Sequence, residues 1–386
     1  VWKSSFRYDK ILKVMKNKKR NKKTLNKKAI VELQNVSKYY GEVTAVDDVS
    51  LSVQENDFLT LLGPSGSGKT TILMMIAGFI NQSNGEILIR GKPVSSKKPY
   101  QRDVGMVFQS LALFPHMNVR ENIQFPLKMK GFPTENMAER INKVLELVRL
   151  PGLHERDIDQ LSGGQQQRVA VARALVFQPS VLLLDEALGS LDRELRKQLQ
   201  IEIMRIQKQL GVTTISVTHD QKEALVMSDR IAVINEGKLE QVDQTRRVYF
   251  HPRTEFVAKF IGQTNLFSGK CVEDDGSYLH VKLAPDIVIR TKNRNGSQVG
   301  EELILGVKAE QIRISRGDGE KNVNKLKGTV LNRVFEGERS IYQISIPRID
   351  SKIKVFQQND AEREPFEVGS KVSIWWNPDS VTTISK

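Results

Sequence analysis

The sequence predicts an α/β domain with a mostly parallel sheet, followed by a small all-β domain. Up to about residue 262, short apolar segments alternate with helical segments, which is typical of a parallel sheet covered by helices. Beyond that point the pattern changes to short strands and turns, which is typical of a small barrel or sandwich. The length of 386 residues also exceeds what one ordinary core requires. We therefore expect two folded domains.

Each element of the α/β region follows from its local pattern. Alternating apolar residues predict short strands over 30–41 and 46–63, broken by turns at Gly41 and Asn56–Asp57. Further strands are predicted at 85–91, 104–109, 181–186, 213–219 and 229–237. Helices are predicted at 70–79, within 118–150, after 161–165, at 192–210 and, as a short one, after 219. The continuous apolar run at 181–186 is expected to be buried on both faces of the sheet.

The β-rich region consists of short segments separated by turns. Its predicted strands are YLHVKL, DIVIRT, ELILGVKAEQIRIS, KGTVLNRVFEG, RSIYQISI, KVSIWW and SVTTIS. We expect the domain boundary within 240–265 and divide the chain into residues 29–262 and 263–386.

The net charge of +14 is concentrated at the N-terminus. Residues 1–28 hold twelve Lys or Arg and one acidic residue, so they carry +11 of that total. Such a block usually forms a disordered, solvated tail. Contact with anionic lipid or nucleic acid is the alternative, and a start upstream of the one used in the cell is a third. No functional prediction rests on this segment, and no nucleic-acid partner is expected.

Neither a secretion signal nor a membrane span is recognisable. The longest strongly apolar stretch, residues 71–80, is well short of the about 20 residues that span a bilayer. The single cysteine, Cys271, cannot form an internal disulfide, which fits a reducing compartment. A cytoplasmic location is therefore expected.

A phosphate-binding loop is predicted at residues 63–71, GPSGSGKTT. The segment fits G-x-x-x-x-G-K-[ST] and lies between a predicted strand and a predicted helix, the context that such a loop requires. Gly63, Gly66 and Gly68 let the backbone curl so that successive N–H groups point at phosphate oxygens, and the helix N-terminus adds positive potential. Lys69 is expected to reach the β- and γ-phosphates of ATP.

Hydroxyl and carboxylate groups near this loop predict a magnesium site. The Thr70 hydroxyl and Asp185, at the end of a buried strand, are expected to hold Mg²⁺, directly or through water. Thr71 is expected to donate near the α-phosphate. Glu186 follows Asp185 and is suited to polarise an attacking water.

Two further polar residues follow predicted strands. Gln109 is expected to offer its amide oxygen to Mg²⁺ or to the attacking water. His219 is expected to sense or stabilise the γ-phosphate through its imidazole. Taken alone, either residue would more often be structural.

Six segments resemble, in order and spacing, the motifs of an ABC transporter ATP-binding subunit. They are GPSGSGKTT, Gln109, LSGGQ at 161–165, VLLLDE, SLD at 190–192 and His219. The resemblance covers 29–262 and implies a P-loop fold with a helical subdomain at about 110–170. It implies that Glu186, His219 and Gln109 are catalytic, and that Thr70, Gln109 and Asp185 bind Mg²⁺. The ATP-binding residues it implies are Tyr40, which stacks on adenine, and Gly63, Pro64, Ser65, Gly66, Ser67, Gly68, Lys69, Thr70, Thr71, Ser162, Gly163, Gly164, Gln165 and Asp192.

The turn at 161–165 lacks a general base, a metal ligand and an activated nucleophile. Ser162 and the amides of Gly163 and Gly164 begin a helix, so they form an anion site like that of the phosphate loop. In the family this site caps the γ-phosphate of ATP bound to a second subunit. With one loop and one such turn in the chain, a symmetric homodimer that sandwiches two ATP molecules is expected.

The segment EALGSLD, residues 186–192, departs from the family, which usually has proline after the catalytic glutamate. Ala187 removes a fixed φ and Gly189 adds conformational freedom. We expect a more flexible loop in an active enzyme, because the chemical groups implied by the family are all present.

The C-terminal segments 306–315, 328–337 and 375–384 resemble the oligonucleotide-binding-like (TOBE) domain of importer ATPases for polyamines, ferric iron, sugars and sulfate. FIGQTNLF, residues 260–267, and WNPDS are most similar to the spermidine/putrescine branch, with ferric iron or another small solute as the alternative. An importer implies two transmembrane permease subunits and, indirectly, an extracytoplasmic solute-binding protein. It also implies a peripheral location at the cytoplasmic face of the cell membrane.

The family resemblance places the permease contact near Gln109–His116, including Leu111, Phe114 and Pro115; core packing is the alternative for these apolar residues. The alternative functions are a non-transport ABC ATPase acting on nucleic acid or ribosomes, and a module that holds ATP without turnover. Only 92 positions separate Lys69 from Ser162, without the long heptad run of chromosome-binding members, and the chain has one cassette rather than two. The intact pair Glu186 and His219 argues against the inactive module.

Overall fold

The predicted fold class is confirmed by the computed structural model, which describes residues 28–189, 192–294, 296–317, 324–362 and 364–384. The segment predicted as a disordered tail lies, apart from Lys28, outside the described residues, as do Ser190 and Leu191 of the SLD segment. Among the described residues, no helix is long and apolar enough to cross a membrane.

Two sheets form the α/β part of the chain. The antiparallel sheet contains β1 (Ala29–Tyr40), β2 (Val43–Gln54), β4 (Asn84–Ile89) and β5 (Lys92–Pro93), in the order β2-β1-β4-β5. The larger sheet contains β3 (Phe58–Leu62), β6 (Val104–Val107), β7 (Val181–Asp185), β8 (Thr213–Thr218), β9 (Arg230–Asn235) and β10 (Lys238–Gln244). Its order is β10-β9-β3-β8-β7-β6, and only the β10–β9 pair is antiparallel among these described strands. All residues of β3, β7 and β8 are buried, as expected for strands covered on both faces.

Helices cover this sheet and build an adjoining helical region. The described α-helices are α1 (Lys69–Ala77), α2 (Val119–Met129), α3 (Thr134–Leu147), α4 (Gly163–Leu175), α5 (Arg193–Leu210), α6 (Gln221–Met227), α7 (Thr245–Phe250) and α8 (Glu255–Phe260). The helical segment predicted within 118–150 is two helices, because Gly131 adopts a positive φ of 70° and Pro133, the N-cap of the next helix, has a non-helical ψ of 134°. Apolar residues of α2 to α5 pack into one core.

The all-β part begins directly after α8. One antiparallel sheet contains β11 (Thr264–Asp274), β12 (Leu279–Ala284), β13 (Ile287–Thr291), β14 (Glu302–Lys308) and β20 (Thr382–Ile384), in the order β13-β12-β11-β14-β20. The other contains β15 (Arg313–Ser315), β16 (Asn324–Phe335), β17 (Arg339–Ile346), β18 (Ile349–Gln358) and β19 (Lys371–Trp376), in the order β15-β19-β16-β17-β18. Both sheets enclose one apolar core.

Two asparagine side chains connect these sheets by imitating a backbone pair. The Asn265 amide donates to Lys354 O at 2.8 Å and its carbonyl accepts from Lys354 N at 2.7 Å. Asn324 makes the same two bonds with Arg290, both at 2.8 Å. These bonds join the sheets at two corners of a barrel-like domain.

Candidate nucleotide site

The predicted phosphate loop connects the end of β3 to the start of α1. Gly66 and Gly68 have φ values of +79° and +99°, a region that only glycine adopts readily. A Cβ atom on Gly68 would lie 2.4 Å from Ala45 O, and one on Gly63 would lie 2.1 Å from Ile234 O. The tight curl therefore requires glycine at these positions, and Ser65 is exposed at its tip.

The Lys69 side chain lies back over this loop. Its Nζ donates to Pro64 O at 2.6 Å and to Ser67 Oγ at 3.3 Å. Burial lowers the pKa of Lys69, and the nearby charges of Glu186 and Asp185 oppose that shift. A phosphate oxygen would be a stronger acceptor than either neutral partner.

A hydroxyl and a carboxylate meet between α1 and β7. Thr70 Oγ1 donates to Asp185 Oδ1 at 3.3 Å. Burial raises the pKa of Asp185, and the bond from Thr70 opposes that effect. Hard oxygen donors of this kind are the ligands that Mg²⁺ prefers, with phosphate and water completing its shell. The residues present therefore fit a magnesium ion.

Glu186 lies at the centre of the polar residues that follow three neighbouring strands, β6, β7 and β8. Its Oε2 accepts from Gln109 Nε2 at 3.3 Å, and its Oε1 lies 3.1 Å from His219 Nδ1. Its φ of +42° is uncommon outside glycine, and its backbone N–H donates to Val217 O at 3.1 Å. The fold thus aims one carboxylate between an amide and an imidazole.

Tyr40 and Thr71 are two further residues that the sequence predicts to bind ATP. Tyr40 ends β1, is 48% exposed, and has Lys38 Nζ 4.9 Å from its ring centroid. Thr71 is half-buried on the first turn of α1. The Tyr40 ring is therefore accessible to a flat partner.

The turn at 161–165 forms the start of α4, apart from the phosphate loop. Ser162 Oγ accepts from Gln165 N at 3.4 Å, and Gln165 Oε1 accepts from Ser162 N at 2.9 Å, a reciprocal cap. A Cβ atom on Gly164 would lie 2.8 Å from a Leu195 methyl group of α5. Asp192 caps α5, since its Oδ1 accepts from the amides of Glu194 and Leu195 at 3.1 and 3.0 Å. The turn and Asp192 are therefore neighbours.

An apolar cavity of about 640 Å³ lies beside α1 and α4. Its aromatic lining consists of Phe79, Tyr100, Phe108, Phe114, Phe125 and Phe177. Of the predicted contact residues, Phe114 lines the cavity, Leu111 packs against the helical core and Pro115 is exposed.

Two arginines that were not predicted shape this cavity. Arg173 donates to Leu111 O at 2.8 Å and to Ala112 O at 2.7 Å, where both acceptor residues have positive φ. Arg102 forms part of the wall and bonds to the end of α1. Nothing local in the sequence indicates either role, because the partners are carbonyl groups of distant residues.

Known protein families match both the α/β part and the all-β part of the chain. The family described as ABC transporter matches residues 46–189, and the family described as TOBE domain matches residues 305–384. The chain is 44% identical over 349 residues to the spermidine/putrescine import ATP-binding protein PotA of Rubrobacter xylanophilus, covering 90% of this chain and 91% of that protein. The protein of the same name from Clostridioides difficile is 46% identical over 308 residues, with coverage of 80% and 86%.

Solved structures show the same cassette fold. The dimeric structure of MJ0796, a bacterial ABC transporter cassette, is 32% identical with a TM-score of 0.50, covering 56% of this chain and 99% of that chain. The range matched by the ABC transporter family contains the loop 63–71, Gln109, the turn at 161–165 and the pair Asp185 and Glu186. Tyr40, Asp192 and His219 lie outside that range.

Proposed function

Since the chain belongs to the family of ABC transporter ATP-binding proteins, we propose that it is the ATP-hydrolysing subunit of an importer for spermidine and putrescine. The observation that carries the proposal is Glu186, whose carboxylate is held between Gln109 and His219 beside the phosphate loop. The solute is assigned from the full-length relatives named as spermidine/putrescine import proteins.

The chain binds ATP mainly through the segment 63–71. Backbone amides of the loop and the Lys69 ammonium contact the phosphates, while Tyr40 stacks on adenine. Thr70 and Asp185, with Gln109, hold Mg²⁺, which neutralises phosphate charge when bound. Burial disfavours the charged form of Asp185, and a cation at this position would stabilise its carboxylate.

Glu186 acts as the base for the attacking water. The amide of Gln109 and the imidazole of His219 fix its two oxygens, so its carboxylate has one direction in which to accept a proton. His219 is 59% exposed and is therefore placed to contact the γ-phosphate as well as Glu186. Hydrolysis cleaves the γ-phosphate from ATP, and the contact that this phosphate makes between the two copies is then lost.

A second copy of the chain completes each site. The amides at the start of α4, with Ser162, face outward as an anion site and contact the γ-phosphate held by the partner. Asp192 lies beside this turn and joins the same interface. The structure of MJ0796, a cassette described as dimeric, supports assembly of the chain as a pair.

The cavity beside α1 receives a helix from one permease subunit, and the same cavity of the second copy receives a helix from the other permease subunit. Its aromatic lining suits an apolar helix face, and Arg173 holds the loop after Gln109 in shape beside it. The protein would thus act at the cytoplasmic face of the membrane, downstream of an extracytoplasmic binding protein. We assign residues 29–262 to the ATPase domain, about 110–170 to its helical subdomain, and 263–386 to the accessory domain.

Replacement of Glu186 tests the proposal. Glu186→Gln keeps the shape but removes the base, so we expect kcat for ATP to fall by about 10²- to 10³-fold while ATP binding is retained. Glu146→Gln, an exposed change on α3, serves as the control. In cells that lack other polyamine uptake, spermidine uptake through the cognate permeases should be lost with Glu186→Gln. Undiminished hydrolysis would reject the catalytic assignment, and uptake of ferric iron instead of spermidine would reject the solute.

A further inference from the structure

A buried carboxylate outside the nucleotide site is surrounded by arginines. Glu202 lies on α5 and its side chain is only 6% exposed. Its oxygens lie 2.8 Å from Arg168 Nε, 3.8 Å from Arg205 Nη2 and 3.9 Å from Arg149 Nε. Arg168 is on α4, Arg149 follows α3 and Arg205 is on α5 itself. One carboxylate therefore lies within ion-pair distance of arginines from three segments of the chain.

One of these arginines, Arg205, also connects α5 to α3 directly. Arg205 Nη2 donates to Leu147 O, at the last residue of α3. Its Nη1 donates to Gln209 at 3.0 Å, which fixes the guanidinium along α5. Removal of the Glu202 charge would leave these positive groups facing each other in a partly buried place, which is costly.

The contact between α4 and α5 is fixed at two points. At the start of α4, Gly164 has no room for a Cβ atom because Leu195 lies against it. One turn further along α4, Arg168 meets Glu202. Two points of contact define the direction of a helix, and the direction of α4 determines where Ser162 and its neighbouring amides point.

We propose that Glu202 is a positioning residue that aligns the Ser162–Gln165 turn with the ATP held by the second copy. The inference rests on the proposed function, because it requires the ATP sandwich. Glu202 lies about 15 Å along α5 from its cap Asp192. It therefore acts through the helix pair without contact with ATP.

The test uses the full chain in a Glu186→Gln background, in which bound ATP accumulates. ATP-dependent dimerisation is followed by analytical ultracentrifugation, and binding of a fluorescent ADP analogue measures the phosphate loop alone. Adding Glu202→Gln should raise the ATP concentration for half-dimerisation by at least about tenfold, since small misplacements at a composite site are costly. The affinity for the ADP analogue should stay within about twofold.

Two further variants make the result specific. Glu139→Gln breaks an exposed ion pair with Lys143 on α3 and should change neither measurement. Glu202→Asp keeps the charge and should restore most of the dimerisation, which a variant that failed to fold would not do. Unchanged dimerisation in Glu202→Gln, or an equal loss of ADP affinity, would overturn the inference. A Glu186→Gln chain that stays monomeric with ATP would reject the sandwich itself and this inference with it.

Discussion

Glu223 is a buried carboxyl close to His219 that has no assigned role in hydrolysis. It lies on α6 and is 7% exposed. Burial raises its pKa to about 7, the charge of Asp220 adds to that effect, and the hydrogen bond from Thr218 opposes it. At neutral pH part of the folded population therefore keeps a proton here that the unfolded chain has lost.

We predict that Glu223→Gln stabilises the protein at alkaline pH. The pKa rises on folding from 4.5 to about 7, so the free energy of unfolding of the natural chain falls as the pH rises through that window. Below pH 4.5 the carboxyl is neutral in both states and the variant should match it. At pH 8 the variant should be more stable, by on the order of 3 kcal/mol. Urea unfolding at pH 5, 6, 7 and 8 measures the difference.

The control for this prediction is Glu146→Gln, which removes an exposed carboxyl. It should leave the pH dependence of unfolding unchanged. A Glu223→Gln variant with the same pH slope as the natural chain would show that Glu223 is ionised in the folded protein at neutral pH.

At the scale of elements, α1 is held at both ends. Its first residues belong to the phosphate loop, and its last turn is capped by Arg102, which is 2% exposed. Arg102 Nη1 donates to Met75 O at 2.7 Å and to Ile76 O at 2.8 Å, and its Nε donates to Lys97 O at 3.1 Å. A cation at a helix C-terminus is favourable, because the last carbonyls of a helix lack full backbone pairing. Of the two carbonyls that Nη1 contacts, that of Met75 also accepts from Gly78 N–H at 3.2 Å.

We predict that Arg102→Met lowers the free energy of unfolding by about 3 kcal/mol, because it leaves buried carbonyl groups without a charged donor. Arg102→Lys keeps the charge but loses the planar fork, so its loss should be smaller. Arg246→Met, on the exposed face of α7, is the matched control. Urea unfolding of the three variants measures the order. An Arg102→Met chain as stable as Arg246→Met would show that water replaces the guanidinium.

The sequence predicts elements whose signals are local, and it misses those that depend on distant partners. The loop 63–71 is recognisable from sequence because its glycines, lysine and threonines lie within one segment of nine residues. β18 was not predicted, since its first half, IDSK, is polar and its burial depends on pairing with β17. The predicted single strand within 302–315 is β14 and β15, separated by a short 3₁₀ turn. Arg102 illustrates the same limit, because its two acceptors on α1 lie 26 and 27 residues away.

At the scale of the molecule, the order of domains follows from the sequence pattern, but the side-chain bonds that connect sheets and helices within each domain do not. The change from helix–strand alternation to short strands is visible in the sequence, and the family matches fall on either side of it. The hydrogen bonds by which Asn265 and Asn324 join the two sheets cannot be predicted from the sequence, because asparagine is simply a weak strand former. The same holds for Glu202, whose arginines come from three segments of sequence.

Under the proposed function the active unit at this scale is a pair of chains, and mixed dimers test this. Lys69→Ala removes the proposed phosphate contact of one half-site, and Ser162→Arg blocks the proposed anion site of the other half-site with a bulky cation. Each variant alone should be nearly inactive, because each of its two sites contains one damaged half. In an equal mixture, half of the dimers carry both variants, and each of these has one site free of damage. We therefore expect the mixture to recover up to about a quarter of the natural ATPase rate.

A mixture of Lys69→Ala with the Lys69→Ala/Ser162→Arg double variant has no intact site and should recover nothing. Full activity of Ser162→Arg alone would mean that α4 takes no part in hydrolysis on a second chain, and the turn at 161–165 would need another partner.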